Sequence, residues 1–213
     1  MTGVTTRTYR SELRDAQAAQ TRLRVLAAAA DEFAAHGYAG TTIAAIAAAA
    51  RVSAETVKAQ GAKHELLAAS YEVAFAGRES RDQIMDGDAM RALVAATPGG
   101  GLPELLASHA ADMNARAGRL WLAFTGAAQS DPAVGAALAD LLARRRRDFA
   151  LVVEALDAAG LVSSPAPREE LAAELSFLGS PEGYQQLVVE SGWAPERYAD
   201  WLARSIRRVA AGE

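Results

Sequence analysis

Two hydroxyl residues, Thr42 and Ser53, each stand before a short apolar-periodic stretch, and only Ala50, Arg51 and Val52 separate those stretches. A serine or threonine in that position suits a helix N-cap, where its oxygen accepts a backbone N–H of the first turn. The first helix begins at Thr41 or Thr42 and presents Ile43, Ile46, Ala47 and Ala50 at 3-4 spacing. Ser53 starts the second. A break this short forces the two helices to cross steeply around a small core of Ile46, Ala47, Val52 and Val57, with Ala47 permitting close approach. Ala54, Glu55, Lys58, Ala59 and Gln60 then face away from that core. They form a mostly small and polar surface of the kind that enters a DNA major groove.

The rest of the chain agrees with a helical setting. Half of its 213 residues are apolar, mostly alanine, which favours helices over strands. The predicted fold class is all-α. Without cysteine there is neither a disulfide frame nor a thiolate metal site, which is compatible with a cytoplasmic location. No apolar run has the length of a membrane span, and the polar start is unlike a signal peptide, so no membrane partner is expected. The net charge of −4 argues against a protein that binds nucleic acid over its whole surface. Residues 1–68 carry eight Lys or Arg against six Asp or Glu, and the remainder fourteen against twenty. A mildly basic head on an acidic body fits DNA contact through one end.

Taken in order, residues 1–15 lack periodicity and 1–18 read as a flexible arm, either a solvated tail or one whose Arg7, Arg10 and Arg14 reach a DNA backbone or minor groove. A helix over about 16–35 buries Leu26, Ala29, Ala30 and Phe33, and Gly37 ends it. After the reading head, a helix over about 63–81 carries Leu66, Leu67, Tyr71, Ala74 and Phe75 on one side and acts as a lever to the body. A weak helix covers 89–96, and the PGGGLP segment at 98–103 is a linker. Helices follow over about 103–115, 117–129, 132–159, 167–179, 182–191 and 195–211, with Gly118 among the breaks. Pro181 and Pro195 read as first-turn prolines.

In the body, Leu138, Leu142, Phe149, Val152 and Leu156 define an apolar seam whose missing member is Arg145, so Arg145 points inward. It is either a packed arginine paired with a neighbouring carboxylate or the counter-ion of an acidic effector. His109, Met113, Trp121 and Phe124 lie on two adjacent predicted helices; they are either plain core or, with Arg145 and Phe149, the lining of an effector cavity. Trp193, Tyr198 and Trp201 cluster around the last helix, at an internal staple or a subunit interface. The three histidines are far apart with no HExxH pattern, and no GxSxG, Walker loop or GxGxxG occurs, so neither an enzyme nor a bound cofactor or metal is predicted.

Leu26, Ala29 and Phe33, then His36-Gly37-Tyr38, Thr41-Thr42-Ile43, Ile46-Ala47, Val52-Ser53, Thr56-Val57, Lys63 and Leu66-Leu67, together with SPEGYQQLVVESGWAPERYADWL near the C-terminus, resemble the TetR-type one-component regulators. That resemblance implies a three-helix helix-turn-helix DNA-binding domain over 19–65, with its motif at about 42–61. A larger helical effector-binding and dimerisation domain follows over 66–213. It implies a homodimer, closed by helices near 167–179 and 195–211, on a palindromic double-stranded operator. Ser53, Ala54, Glu55, Thr56 and Lys58 would lie nearest the bases; Thr42, Gln60 and Lys63 would hold phosphates. A small apolar or amphipathic effector would release a repressor of this kind. Two features depart from the family pattern: Arg51 stands where glycine is usual, and TVKAQGAK lacks both usual aromatics and is one residue shorter. They keep an alternative open, a helical ligand-binding protein or enzyme on the same scaffold that has lost operator binding.

Overall fold

The computed structural model describes residues 5–77 and 88–213, and every regular element among them is helical. Helix α1 (Thr5–Gly40) buries Leu26, Ala29 and Phe33 as the 3-4 spacing predicts. It begins at Thr5, within the stretch read as an aperiodic arm. The alanines and glutamines at 16–20 are good helix formers, and all five are exposed, so they continue α1 without leaving an apolar period to read. Residues 1–4 lie outside the described part. At Gly37 the backbone takes φ 68°, ψ 175° and turns the chain, a conformation costly to any residue with a Cβ.

Three helices then fold back onto α1: α2 (Ile43–Ala50), α3 (Ala54–Lys58) and α4 (Lys63–Ala76). Their shared core contains Leu26, Phe33, Ile46, Val57, Leu66 and Leu67, all fully enclosed. Gly77, at φ 75°, closes α4. The predicted continuation over 78–81 lies outside the described residues.

Helix α5 (Asp88–Ala96) leads through a 3₁₀ turn, Gly99–Gly101, into α6 (Leu102–Ala128). The PGGGLP linker is thus a tight turn, with the Gly101 N–H donating to the Pro98 carbonyl at 2.8 Å. The break expected at Gly118 does not occur. A glycine inside a helix costs about 1 kcal/mol relative to alanine, and the burial of Ala117, Leu120, Trp121 and Phe124 along the same helix outweighs that.

Helix α6 is the axis of the molecule. Residues 117–127, with Val134 at the start of α7 (Pro132–Ala158), close over α1 and α4 in one apolar cluster. Residues 102–111 belong to a second, with Val152, Val153 and Leu156 of α7, α8 (Arg168–Leu178) and α10 (Pro195–Ala211). Between α8 and α10 runs α9 (Pro181–Tyr184), capped by Ser180 and continued by a π-helical turn, Gln185–Glu190. Pro132, Pro181 and Pro195 all stand in first turns. Among the described residues no helix is long and apolar enough to cross a membrane.

Candidate nucleic-acid interface

The chain re-enters a helix after Gly37 under tight control. The buried Thr41 hydroxyl lies 2.8 Å from the Gly37 carbonyl oxygen and 3.0 Å from that of Glu32, while Thr42 Oγ1 accepts the Ala45 N–H at 3.0 Å. Of the two threonines, Thr42 is therefore the cap. At the other end of α2, Arg51 takes φ 55°, ψ 47°, the left-handed conformation the family pattern gives to glycine. The Val52 N–H still reaches the Ala47 carbonyl at 3.0 Å, so the turn closes normally. An arginine there costs about 1 kcal/mol and leaves its exposed side chain beside the reading helix.

Ser53 Oγ accepts the Thr56 N–H at 3.0 Å and starts α3, whose one fully buried side chain is Val57. Around it Ser53, Glu55, Lys58 and Ala59 are exposed, with Ala54 and Thr56 half-buried. The short segment after α3 is anchored from α1: Arg22 Nη1 donates to the Gln60 carbonyl at 2.7 Å and lies 3.4 Å from Gln60 Oε1. Gly61, at φ 140°, lets Glu65 fold back, so that its Oε2 accepts the Ala62 N–H at 2.7 Å. A Cβ on Gly61 would stand 2.9 Å from that same oxygen. Missing aromatics are thus replaced by an arginine strut and a glycine turn. No local signal in the sequence joins Arg22 to Gln60.

Lys63 begins α4 with Nζ 4.3 Å from the centre of the Tyr38 ring, a cation–π contact. Tyr38 also stacks on Phe33, and its hydroxyl donates to Asp131 Oδ2 at 3.0 Å. Burial and then the Asp131 carboxylate push the phenol pKa up to about 12. Asp131 Oδ1 meanwhile accepts the Ala133 and Val134 N–H groups, so one carboxylate caps α7 and holds the head. Further ties hold α4, the helix that leads away from the head. Arg116 donates to the last carbonyls of α4, Ala74 at 3.1 Å and Phe75 at 3.0 Å, and Arg144 pairs with Glu72 at 2.7 Å, both side chains largely shielded.

The six residues read as effector contacts are distributed over this body. Trp121 and Phe124 are buried against Tyr71, with ring centres 5.4 and 5.9 Å away, and Trp121 Nε1 donates to Glu182 Oε1 at 2.9 Å. Arg145 does point inward, over the Phe149 ring at 5.7 Å. Its guanidinium donates to the Ser176 carbonyl of α8, and burial, outweighing the opposing effects of Tyr71 and Glu182, holds its pKa below the ordinary arginine value. His109 and Met113 are half-buried one turn apart on α6, and burial, then Arg116, lowers the His109 pKa. Between these groups lies Asn114, 1% exposed, whose Nδ2 donates to the Gly179 carbonyl at 3.1 Å while Oδ1 has no partner among the described residues. One turn further on, a Cβ at buried Gly118 would meet nothing within 4 Å.

On the surface, Phe177 of α8 is 78% exposed. An open groove of about 290 Å³ beside it is lined by Glu174, Trp201, Ser205 and Arg208 among others, and by none of the six predicted effector residues.

An all-helical protein with a capped helix-turn-helix at one end, its second helix presented to solvent, belongs to the class of helix-turn-helix DNA-binding proteins. Residues 25–59 match the family of bacterial regulatory proteins, tetR family. Over that segment, which holds the second half of α1 with α2 and α3, the chain is similar to the tetR family. Its fold is similar to the crystal structure of a candidate transcriptional regulator from Pseudomonas aeruginosa PAO1, at 23% identity, 91% coverage of each chain and a TM-score of 0.68. No curated protein matches the sequence.

Proposed function

We propose that the chain works as a homodimeric repressor that leaves a palindromic operator when a small molecule occupies its body. The carrying observation is the exposed face of α3, held out by the Thr42 and Ser53 caps and braced by Arg22, so that both departures from the family pattern leave the reading surface free. Each dimer places its two α3 helices in successive major grooves, roughly 34 Å apart. Ser53, Ala54, Glu55, Thr56 and Lys58 approach the bases. Thr42 and Lys63 hold phosphates, while Gln60, engaged by Arg22, offers its remaining amide N–H.

Support for the dimer comes from exposed Phe177 and the groove beside Trp201, on helices otherwise packed together by Leu171, Leu175, Leu202 and Ile206. Support for an effector comes from the unpartnered Asn114 acceptor and the open space at Gly118, on the same helix as Trp121. The molecule suited to that region is largely apolar with a hydrogen-bond donor for Asn114. The ties of Arg116, Arg144 and Asp131 to α4 and α1 pass a shift in the body to the heads, with a coupling of about 1–3 kcal/mol.

A reporter gene behind the protein's own promoter tests the repressor reading. Expression falls when the chain is supplied; an unchanged or increased signal contradicts repression.

A further inference from the structure

Few side chains on α3 are available to a base edge. Val57 is in the core, and Ala54 and Ala59 carry no polar side-chain atoms. The Ser53 hydroxyl accepts the Thr56 N–H and lies 3.0 Å from Thr56 Oγ1, so these two groups are largely committed to each other and to the helix end. Gln60 is turned to Arg22. Glu55 and Lys58 remain, three residues apart on one side of α3, both exposed and neither with a side-chain partner among the described residues.

We propose that Glu55 reads a cytosine in each operator half-site, accepting a hydrogen bond from the cytosine N4 amino group in the major groove. This rests on the operator-binding function proposed above. An ionised carboxylate only accepts hydrogen bonds. Guanine and thymine present only acceptors in the major groove, so opposite either of them Glu55 loses water without gaining a partner. Adenine has an amino donor, yet its N7 acceptor stands next to it and repels the second carboxylate oxygen. Cytosine offers the donor with a C–H beside it, and Glu55 is the accepting side chain that geometry calls for. Lys58, on the same side of the helix, offsets the negative charge that Glu55 brings among the phosphates. The small side chains of Ala54 and Ala59 let the backbone come close enough for a side chain of this length to reach.

The test is selection of bound fragments from randomised duplexes by the full-length protein, by Glu55→Gln and by Glu55→Ala, followed by titration of the recovered sites. The expected unsubstituted site has one symmetric pair of positions fixed as C·G. Glu55→Gln changes that pair to A·T, because a glutamine amide matches adenine N6 and N7, and Glu55→Ala leaves it degenerate, with other positions unchanged. Exchanging the cytosine weakens unsubstituted binding about tenfold and Glu55→Ala binding hardly at all. The same preference at every position in all three proteins overturns the assignment, as does a responding base other than cytosine, while operator binding itself stands. If the unsubstituted protein enriches no sequence, the operator-binding function fails and the assignment with it.

Discussion

The Tyr38 hydroxyl donates to Asp131 Oδ2 at 3.0 Å across 93 residues of sequence, with the Lys63 ammonium over the same ring. One phenol thereby joins the end of α1, the first residue of α4 and the N-cap of α7. Removing the hydroxyl with Tyr38→Phe keeps the ring contacts and cuts the tie to the body. In a double-mutant cycle with Asp131→Ala, the two stability losses are expected to be non-additive; strictly additive losses would show that the pair is not coupled.

The same pair sets a pH dependence. The Tyr38 hydrogen bond, then the α7 backbone N–H groups, lower the Asp131 pKa, so its contribution is full above the ordinary aspartate value of about 4 and is lost as the pH falls through the lower folded value. Tyr38, raised to about 12, favours the folded state below the ordinary tyrosine value of about 10 and loses that contribution as the pH rises through 12. Denaturation midpoints of Tyr38→Phe should therefore vary less steeply with pH below about 4 than those of the unsubstituted protein. Equal slopes would remove the pair from the pH response.

Arg51 is held at φ 55° by a turn that suits glycine. Arg51→Gly relieves the left-handed strain while adding freedom to the unfolded chain, and the net expectation is a gain of about 0.5–1 kcal/mol in urea unfolding. A loss of stability would mean that the arginine side chain makes a compensating contact.

Glu72 and Arg144 are each shielded to about one-eighth exposure and meet at 2.7 Å. Glu72→Ala leaves a charge without its closest partner and should cost about 3 kcal/mol, near the low end for a buried pair because Asp140 remains 3.3 Å from Arg144 Nε. A change under about 0.5 kcal/mol would show that water already screens the pair.

The head is legible in the sequence because its signals are local: Thr42 and Ser53 cap within three residues, and Gly37 marks a positive-φ position, whereas Arg51 is read as another only through the family resemblance. The first-turn prolines of α9 and α10 work the same way. Gly118 misleads because a glycine stops a helix only where packing does not hold the helix together, and around Gly118 four buried neighbours do. From Thr5 onward the stretch read as an arm is helical, and the exposed side chains at 16–18 offer no apolar period from which to read that helix. Arg145 is correctly inward, yet its partner is a backbone carbonyl, which carries no residue-type signal at all. Tyr38–Asp131 and Arg22–Gln60 are fixed only when distant helices pack, so no spacing rule reveals them.

Lys58 on α3 gives a direct electrostatic readout. If it lies against phosphate, Lys58→Ala weakens binding to all duplexes alike and reduces the salt slope by about one per protomer. An unchanged slope removes Lys58 from the contact set.

The most direct measurement is a fluorescence anisotropy titration of the protein with labelled DNA from its own promoter at about 0.15 M salt. Saturation with two protomers per site, at a dissociation constant of about 10 nM or below, is predicted, with a scrambled duplex competing at least a thousandfold less well. Equal, weak binding to both duplexes would contradict an operator-reading α3.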